Sequence, residues 1–259
     1  MVEEEAAQEG ARHPYCMNSG EHARRSSTRA SAELFHRRAA EQVMRVGAGE
    51  SLSEAFVRGM PDKVTEPLGA IMPLLLCGEE SAVMVFSNLD AEIAGLHPDF
   101  ASGANNVMAR VACEEHFHEY LLSHLVEGLR SEQLPNARKN QRATKLFFMR
   151  LRAETASAHL ARLSALDSFV TRTLAALQCK TSALRASATV MHLYNKIRYD
   201  EGNHVRITRD HLVRHDVSEE FMLAQREHVA TAYTGLLEPY FDDFEALGVD
   251  SDRLRKSIH

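Results

Sequence analysis

Two short stretches decide the fold of this chain: CEEHFHEYLL at residues 113–122 and RYDEGNHVRI at residues 198–207. Each contains a glutamate followed three positions later by a histidine, Glu115 with His118 and Glu201 with His204. Residues three positions apart lie one turn apart on the same face of an α-helix. The spacing therefore predicts two helices, each of which presents a carboxylate and an imidazole side by side.

Both Glu-x-x-His pairs fall on the apolar faces of their predicted helices. Steps of three and four residues from each pair reach mostly apolar residues: Val107, Val111, Leu122 and Val126 for the first, and Val190, Tyr194, Ile197, Thr208 and Leu212 for the second. A buried carboxylate without a partner costs several kcal/mol, and a metal ion would compensate that cost. The pattern predicts a metal site between the two helices; two independent core pairs without metal remain the alternative.

The rest of the sequence is helical in pattern. Strand signals are almost absent, and capping residues and Gly or Pro stops divide the chain into segments. Residues 1–30 are polar and aperiodic, which is typical of a disordered tail. We predict an all-α fold with residues 31–259 forming one helical-bundle domain. Its helices are expected at residues 31–46, 51–58, 67–96, 104–127, 142–152, 155–178, 188–215 and 218–247.

Composition argues against several function classes. The chain has 30 basic and 36 acidic residues and a net charge of −6, which argues against a nucleic-acid-binding protein; the basic stretch at residues 138–152 is interpreted as a solvated helix face. Four scattered cysteines without a C-x-x-C favour a reducing, cytoplasmic location. The N-terminal residues lack a signal-peptide pattern, and the apolar run at residues 70–77 is too short to span a bilayer, so no membrane association is expected.

The paired motifs resemble those of the ferritin-like di-iron carboxylate proteins, which have a four-helix bundle. The resemblance covers residues 65–215, which would form the metal-binding core, with additional peripheral helices outside it. It implies the chain order carboxylate, Glu-x-x-His, carboxylate, Glu-x-x-His, one element on each bundle helix. It also implies two iron ions as the cofactor, with manganese as the alternative, since carboxylate and imidazole ligands suit both metals.

The carboxylate that this order requires before the first motif is Glu80 or Glu79. In an antiparallel helix pair with a short turn, residues at the same depth lie roughly 30 to 36 positions apart. Glu80 precedes Glu115 by 35 positions. We prefer Glu80 because its face is apolar, and Glu79 is the alternative. The apolar neighbours of Glu80 are Leu76, Cys77, Val83 and Met84.

The carboxylate expected before the second motif is Asp167, which precedes Glu201 by 34 positions. Asp167 has no basic residue three or four positions away, although it lies on an apolar stripe, so it lacks a local partner. Glu154 is the alternative, nearer the helix start and with Arg150 four positions before it. The stripe around Asp167 consists of Leu160, Leu163, Val170 and Leu174.

The resemblance assigns a role to each predicted ligand. Glu115 and Glu201 would bridge the two ions. The terminal ligands would be Glu80, His118, Asp167 and His204. The acidic residues immediately before the motifs, Glu114 and Asp200, are expected to accept the other ring N–H of the histidine on the opposite helix. For Glu114, an exposed position on the helix flank is an equal alternative.

The function implied by this resemblance is a di-iron oxygenase that uses O₂ to oxidise a small organic substrate. The chain looks most similar to the p-aminobenzoate N-oxygenase type of enzyme, which acts in specialised biosynthesis. Those enzymes share an additional histidine one turn before the last motif, where this chain has Ile197, so hydroxylation and desaturation stay open beside N-oxygenation. An electron donor would be required, and a homodimer is left open. The alternatives are a ferritin-like ferroxidase and a metal-free helical interaction protein.

Overall fold

The computed structural model describes residues 50–96 and 107–259, with the backbone alone described at 87–96 and 108–109. Within these ranges all regular structure is helical and no strand occurs, which confirms the all-α class. The predicted tail at residues 1–30, the predicted helix at 31–46 and the predicted helix start at residue 104 lie outside the described residues.

Within the described ranges, three of the connections between helices contain a single 3₁₀ turn. The α-helices are α1 (Leu52–Val57), α2 (Asp62–Leu96), α3 (Val107–Gly128), α4 (Ala137–Leu151), α5 (Ala156–Leu177), α6 (Ala188–Arg214), α7 (Glu219–Leu237), α8 (Phe241–Ala246) and α9 (Ser251–Ile258).

Side-chain caps stand at four of the predicted helix starts. Ser51 and Glu54 form a capping box at α1, and Thr155 accepts a hydrogen bond from the Ala158 backbone N–H at 3.2 Å at the start of α5. Ser187 and Ser218 cap α6 and α7 in the same way. Local side-chain chemistry therefore sets these four helix boundaries.

The predicted boundaries are wrong at α2, at α4 and in the last predicted helix. α2 begins at Asp62 rather than at residue 67, and it retains Pro67 and Pro73 inside the helix. α4 begins five residues earlier than predicted, and it exposes most of its basic side chains. The helix predicted at residues 218–247 divides around Pro239 into α7, a 3₁₀ turn and α8. α9 follows and was not predicted.

Two antiparallel helix pairs position the Glu-x-x-His motifs. α2 packs against α3, and α5 packs against α6. Gly69 near the start of α2 lies beside Leu129, just past the end of α3, and Glu79 lies beside His118, so the two helices run in opposite directions. Further contacts join α3 to α6 and α2 to α5, and α7 covers α5. The faces of α3 and α6 that carry the motifs therefore meet inside the molecule.

The first part of α2 has the composition of a membrane span. Among the described residues, only Asp62–Phe86 is long and apolar enough to cross a bilayer, with a mean hydropathy of 1.5. Core helices of soluble proteins have the same character, and Leu68, Ile71 and Met72 of this segment are buried inside the structure. The absence of membrane association stays a prediction.

The junction of α1 and α3 gives a test of the packing. A Cβ added at Gly128 would overlap the backbone oxygen of Ser53, whereas one added at Gly235 in α7 meets nothing within 4 Å. We expect Gly128→Ala to lower the free energy of unfolding by about 1–3 kcal/mol because the backbone must shift. Gly235→Ala, the matched control, should raise it by up to about 1 kcal/mol. Urea denaturation measures both, and equal effects would contradict the packing.

Candidate metal centre

The two Glu-x-x-His pairs face each other in the interior between α3 and α6. Glu115 and Glu201 are 1% and 3% exposed, and both imidazoles are fully buried. The ring centroids of His118 and His204 lie 6.2 Å apart. The helical spacing of three thus brings each carboxylate beside the imidazole of its own motif, and the packing of α3 on α6 brings the two pairs together.

A carboxylate from the opposite helix binds the outer nitrogen of each imidazole. His118 Nε2 lies 2.9 Å from Asp200 Oδ2, and His204 Nε2 lies 2.9 Å from Glu114 Oε2. Hydrogen bonds from His118 and Lys196 lower the pKa of Asp200 against the effect of burial, so this carboxylate is an ionised acceptor. Each Nε2 therefore donates its proton outwards, and these are the reciprocal contacts that the sequence predicted.

The inner nitrogens point at shared carboxylates. The two oxygens of Glu115 lie 3.7 Å from His118 Nδ1 and 2.9 Å from His204 Nδ1. The two oxygens of Glu201 each lie 3.8 Å from one of the same nitrogens. Each central carboxylate thus directs one oxygen towards each imidazole. The site therefore has two halves, one beside His118 and the other beside His204.

Several buried atoms of this site have no hydrogen-bond partner. They are both carboxylate oxygens of Glu115, Oδ2 of Asp167 and Nδ1 of His204. Buried polar atoms in proteins are nearly always paired, because an unpaired one costs about 1–3 kcal/mol. Burial lowers the pKa of His204, but the Glu114, Glu115 and Glu201 carboxylates raise it far more, so Nδ1 carries a proton in the metal-free site. A cation that displaced this proton would satisfy Nδ1 and the Glu115 oxygens together.

The charges of the centre are not balanced by basic side chains. Four carboxylates meet here, and among the described residues no lysine or arginine lies within salt-bridge distance of any of them. Only the two histidines offset their charge. The four carboxylates belong to Glu79, Glu115, Asp167 and Glu201.

The pKa values of the centre record this crowding of acids. Burial, followed by the charge of Glu115, raises the pKa of Glu79 well above its usual range, and the pKa of Glu201 rises for the same reasons. Burial and the charges of Glu201 and Glu115 raise the pKa of Asp167. Burial opposes the charge of Glu115 as well, but the neighbouring Glu79, His118 and His204 side chains lower its pKa. The metal-free site must therefore retain protons that a metal ion would displace.

Glu79 belongs to the cluster, and Glu80 does not. Ligand atoms of Glu79, Glu115, His118 and Glu201 lie within 4.8 Å of one another, so this group could hold a metal ion. Glu79 is 4% exposed, and its Oε2 lies 3.3 Å from His118 Nδ1. Glu80 is partly exposed, and the charge of Lys145 acts on it. The structure thus places the alternative, Glu79, in the cluster rather than the preferred Glu80, and the apolar face assigned to Glu80 ends in Met84, which is 54% exposed.

The predicted third-helix residue Asp167 lies at the centre, and its alternative does not. Asp167 on α5 is 6% exposed and close enough to Glu201 and Glu115 for their charges to raise its pKa. The charge of His204 acts on Asp167 in the opposite direction, and Asp167 lies beside the group of Glu79, Glu115, His118 and Glu201 rather than within it. Glu154 is exposed and precedes the N-cap of α5.

Two basic residues on the outer rim were not anticipated. Lys196 forms an ion pair with Asp200, and Arg110 lies 3.8 Å from Glu114. Both are four positions before the carboxylate that they contact, so the helical spacing of unlike charges was a signal in the sequence. They place positive charge outside the acids that bind the imidazoles, and none inside the centre.

A narrow cavity of about 40 Å³ adjoins the carboxylates on the side away from the two histidines. Its walls are mainly apolar and come from α2, α4, α5, α7 and α8, and Glu79, Glu115, Asp167 and Glu201 form its polar end. Sequence reasoning missed the contribution of α7, which includes Tyr233 and Leu237. No local pattern reports this contact, because it depends on how α7 crosses α5.

Comparison with family models, with curated proteins and with solved structures finds no significant match to this chain.

Adjacent glutamates on α2 provide a matched test of the centre. Glu79→Gln removes a charged ligand from the cluster, whereas Glu80→Gln changes a residue that points away from it. We expect Glu79→Gln to weaken Mn²⁺ or Fe²⁺ binding at least about tenfold, because ligand substitutions remove charge-assisted contacts. Glu80→Gln should leave binding unchanged. Titration of metal-depleted protein by calorimetry under anaerobic conditions measures both, and the opposite ranking would remove Glu79 from the site.

Proposed function

We propose that this protein is a ferritin-like di-iron oxygenase that oxidises a small apolar organic substrate with O₂. Two antiparallel helix pairs, α2 with α3 and α5 with α6, support this proposal because they bring the helices with the two motifs together. The proposed ligands are Glu79, Glu115 and His118 from the first pair, and Asp167, Glu201 and His204 from the second. Glu79 here replaces the ligand first expected at position 80.

The observation that carries this proposal is the arrangement of Glu115 and Glu201 between the two imidazoles. Each carboxylate directs one oxygen to His118 Nδ1 and the other to His204 Nδ1. Two ions with a bridging carboxylate pair fit this geometry better than one. The charge supports the same number, since four buried carboxylates balance two divalent cations. Without a metal, the acceptor atoms of Glu115 would depend on protons held by Glu79, His118 and His204.

The donor set favours iron or manganese over zinc and calcium. Structural zinc sites in proteins are tetrahedral and rich in thiolate or imidazole, and calcium takes six to eight oxygen ligands. Four carboxylates and two imidazoles offer the mixed oxygen and nitrogen ligands that non-haem iron binds. Iron held here would supply the electrons with which O₂ is reduced. Tightly paired outer carboxylates, Asp200 and Glu114, hold the rings of His118 and His204 with Nδ1 directed inwards.

The cavity beside the carboxylates supports an organic substrate. Its walls include Ile71, Leu75 and Val170, so it would accept an apolar group, and at about 40 Å³ it has room for a small reacting group rather than for a whole organic molecule. Insertion of one oxygen atom into a C–H or N–H bond with reduction of the other atom to water consumes two electrons and two protons. An external electron donor is therefore part of the proposal, as is a small substrate that enters between α2 and α5.

The histidine ligands provide the main test. We expect purified protein loaded with Fe²⁺ anaerobically to bind two ions per chain and to develop near-ultraviolet absorption when O₂ is added. His118→Ala and His204→Ala should each lose at least one ion and most of this absorption. His192→Ala is the matched control, since His192 is exposed on α6 and should change neither. Elemental analysis and absorption spectroscopy measure the outcome.

The same preparation separates the proposal from its alternatives. Well-folded protein that takes up no iron would favour a metal-free helical protein and would end the proposal. Assembly into a large shell by gel filtration, with many ferric ions stored per chain, would favour iron oxidation and storage instead. The oxygenase proposal expects a small oligomer or monomer and two ions per chain, even when excess Fe²⁺ and O₂ are present.

A further inference from the structure

A second cavity of about 310 Å³ lies between α5, α6 and α7. Its lining shares no residue with the cavity at the metal centre. On α5, Asp167 faces the metal centre, while Ser164 and Ser168 face the second cavity. The two cavities thus lie on different sides of α5, and the second requires an explanation of its own.

Positive charge dominates the lining of the second cavity. Arg172, Arg209 and Arg226 come from three different helices, and Glu219 is the acidic residue among the lining side chains. In the described part of the chain, no carboxylate lies within salt-bridge distance of these three guanidinium groups. Burial and the charges of Arg172 and Arg209 lower the pKa of Arg226. Three arginines therefore repel one another at this site, where Glu219 is the single acidic side chain of the lining.

Hydrogen bonds and ring contacts orient two of the arginines and leave most of their N–H donors free. Arg172 donates to the Ser257 carbonyl, and Arg226 donates to the Ile258 carbonyl at 3.4 Å. Both guanidinium groups also contact the ring of Phe169. A guanidinium has five N–H donors, so these bonds orient the two groups and leave most of their donors free. Arg209 makes no hydrogen bond to any described residue.

Convergent guanidinium donors favour an oxyanion, and phosphate is the oxyanion that uses several of them at once. The cavity volume exceeds what a phosphate group fills, and apolar side chains such as Leu212 and Met222 line the remainder. Ligand cavities of this size accept small organic molecules with a few fixed polar contacts. Nearby Ser164 and Ser168 hydroxyls offer further hydrogen bonds to phosphate oxygens.

We infer that this cavity binds a small organic phosphate, with Arg172, Arg209 and Arg226 around the phosphate and the apolar wall around the organic group. The site is independent of the proposed oxygenase function, because it uses none of the metal-centre residues. The second cavity and the metal centre are nevertheless close to each other on α5, because Ser168 directly follows Asp167.

Phenyl phosphate is a suitable probe because it combines a dianionic phosphate with an apolar ring. We expect saturable binding by isothermal titration calorimetry to the full-length protein. Arg209→Gln should weaken this binding at least about tenfold, because one charge-assisted contact is lost. Arg206→Gln is the matched control. Arg206 lies on the same helix, outside the cavity, and 3.7 Å from Asp210, so its loss should leave the affinity unchanged.

The remaining outcomes decide against the inference. Equal losses in Arg206→Gln and Arg209→Gln would indicate general electrostatic attraction. Unchanged binding in Arg209→Gln would place the probe elsewhere, for instance on a bound metal ion. Phenol that binds as well as phenyl phosphate would show that the cavity selects the ring alone. Arg226→Lys keeps the charge at a packed position, so it should fold normally and weaken binding less than Arg226→Gln does. Equal affinities of the wild type and both variants would also overturn the inference.

Discussion

The mutual burial of four carboxylates and two imidazoles is the constraint on which the rest of this structure depends. Glu79, Glu115, Asp167 and Glu201 are each no more than 6% exposed. Such a group is unfavourable in a protein interior unless cations or protons compensate it. α2, α3, α5 and α6 each contribute one of these acids, so the four helices can only pack closely if that compensation is supplied. The metal centre we propose would therefore stabilise the fold as well as serve its chemistry.

The outer contacts connect the two motifs into one unit. Glu114 precedes Glu115 by one residue but binds His204 on the other helix, and Asp200 has the equivalent relation to His118. On each helix, therefore, one glutamate faces the centre and the acidic residue directly before it binds the imidazole of the opposite helix. Lys196 and Arg110 in turn pair with these outer acids. Rotation of either helix would break contacts on both sides, so α3 and α6 maintain one another's orientation.

Much of this centre could be predicted because helical spacing is local. Glu115, His118, Glu201 and His204 follow from a spacing of three residues on apolar faces, and Asp167 follows from being an acid without a local partner. The choice between Glu79 and Glu80 could not be made from the sequence, because α2 is apolar around most of its circumference. Leu76 and Val83 lie beside both glutamates, whereas Leu75 on the Glu79 side is buried and Met84 on the Glu80 side is exposed. The apolar cavity, which needs Tyr233 and Leu237 of α7, depends on tertiary packing.

We propose that Glu115 and Glu201 bridge two ions. Anomalous X-ray diffraction from crystals of iron-loaded protein would test this bridging directly. Data collected on either side of the iron absorption edge would locate each ion without assumptions about its ligands. We predict two peaks roughly 3.5–4 Å apart, one beside His118 Nδ1 and the other beside His204 Nδ1. A single peak, peaks outside the Glu115 and Glu201 carboxylates, or none in protein shown to contain iron would contradict it.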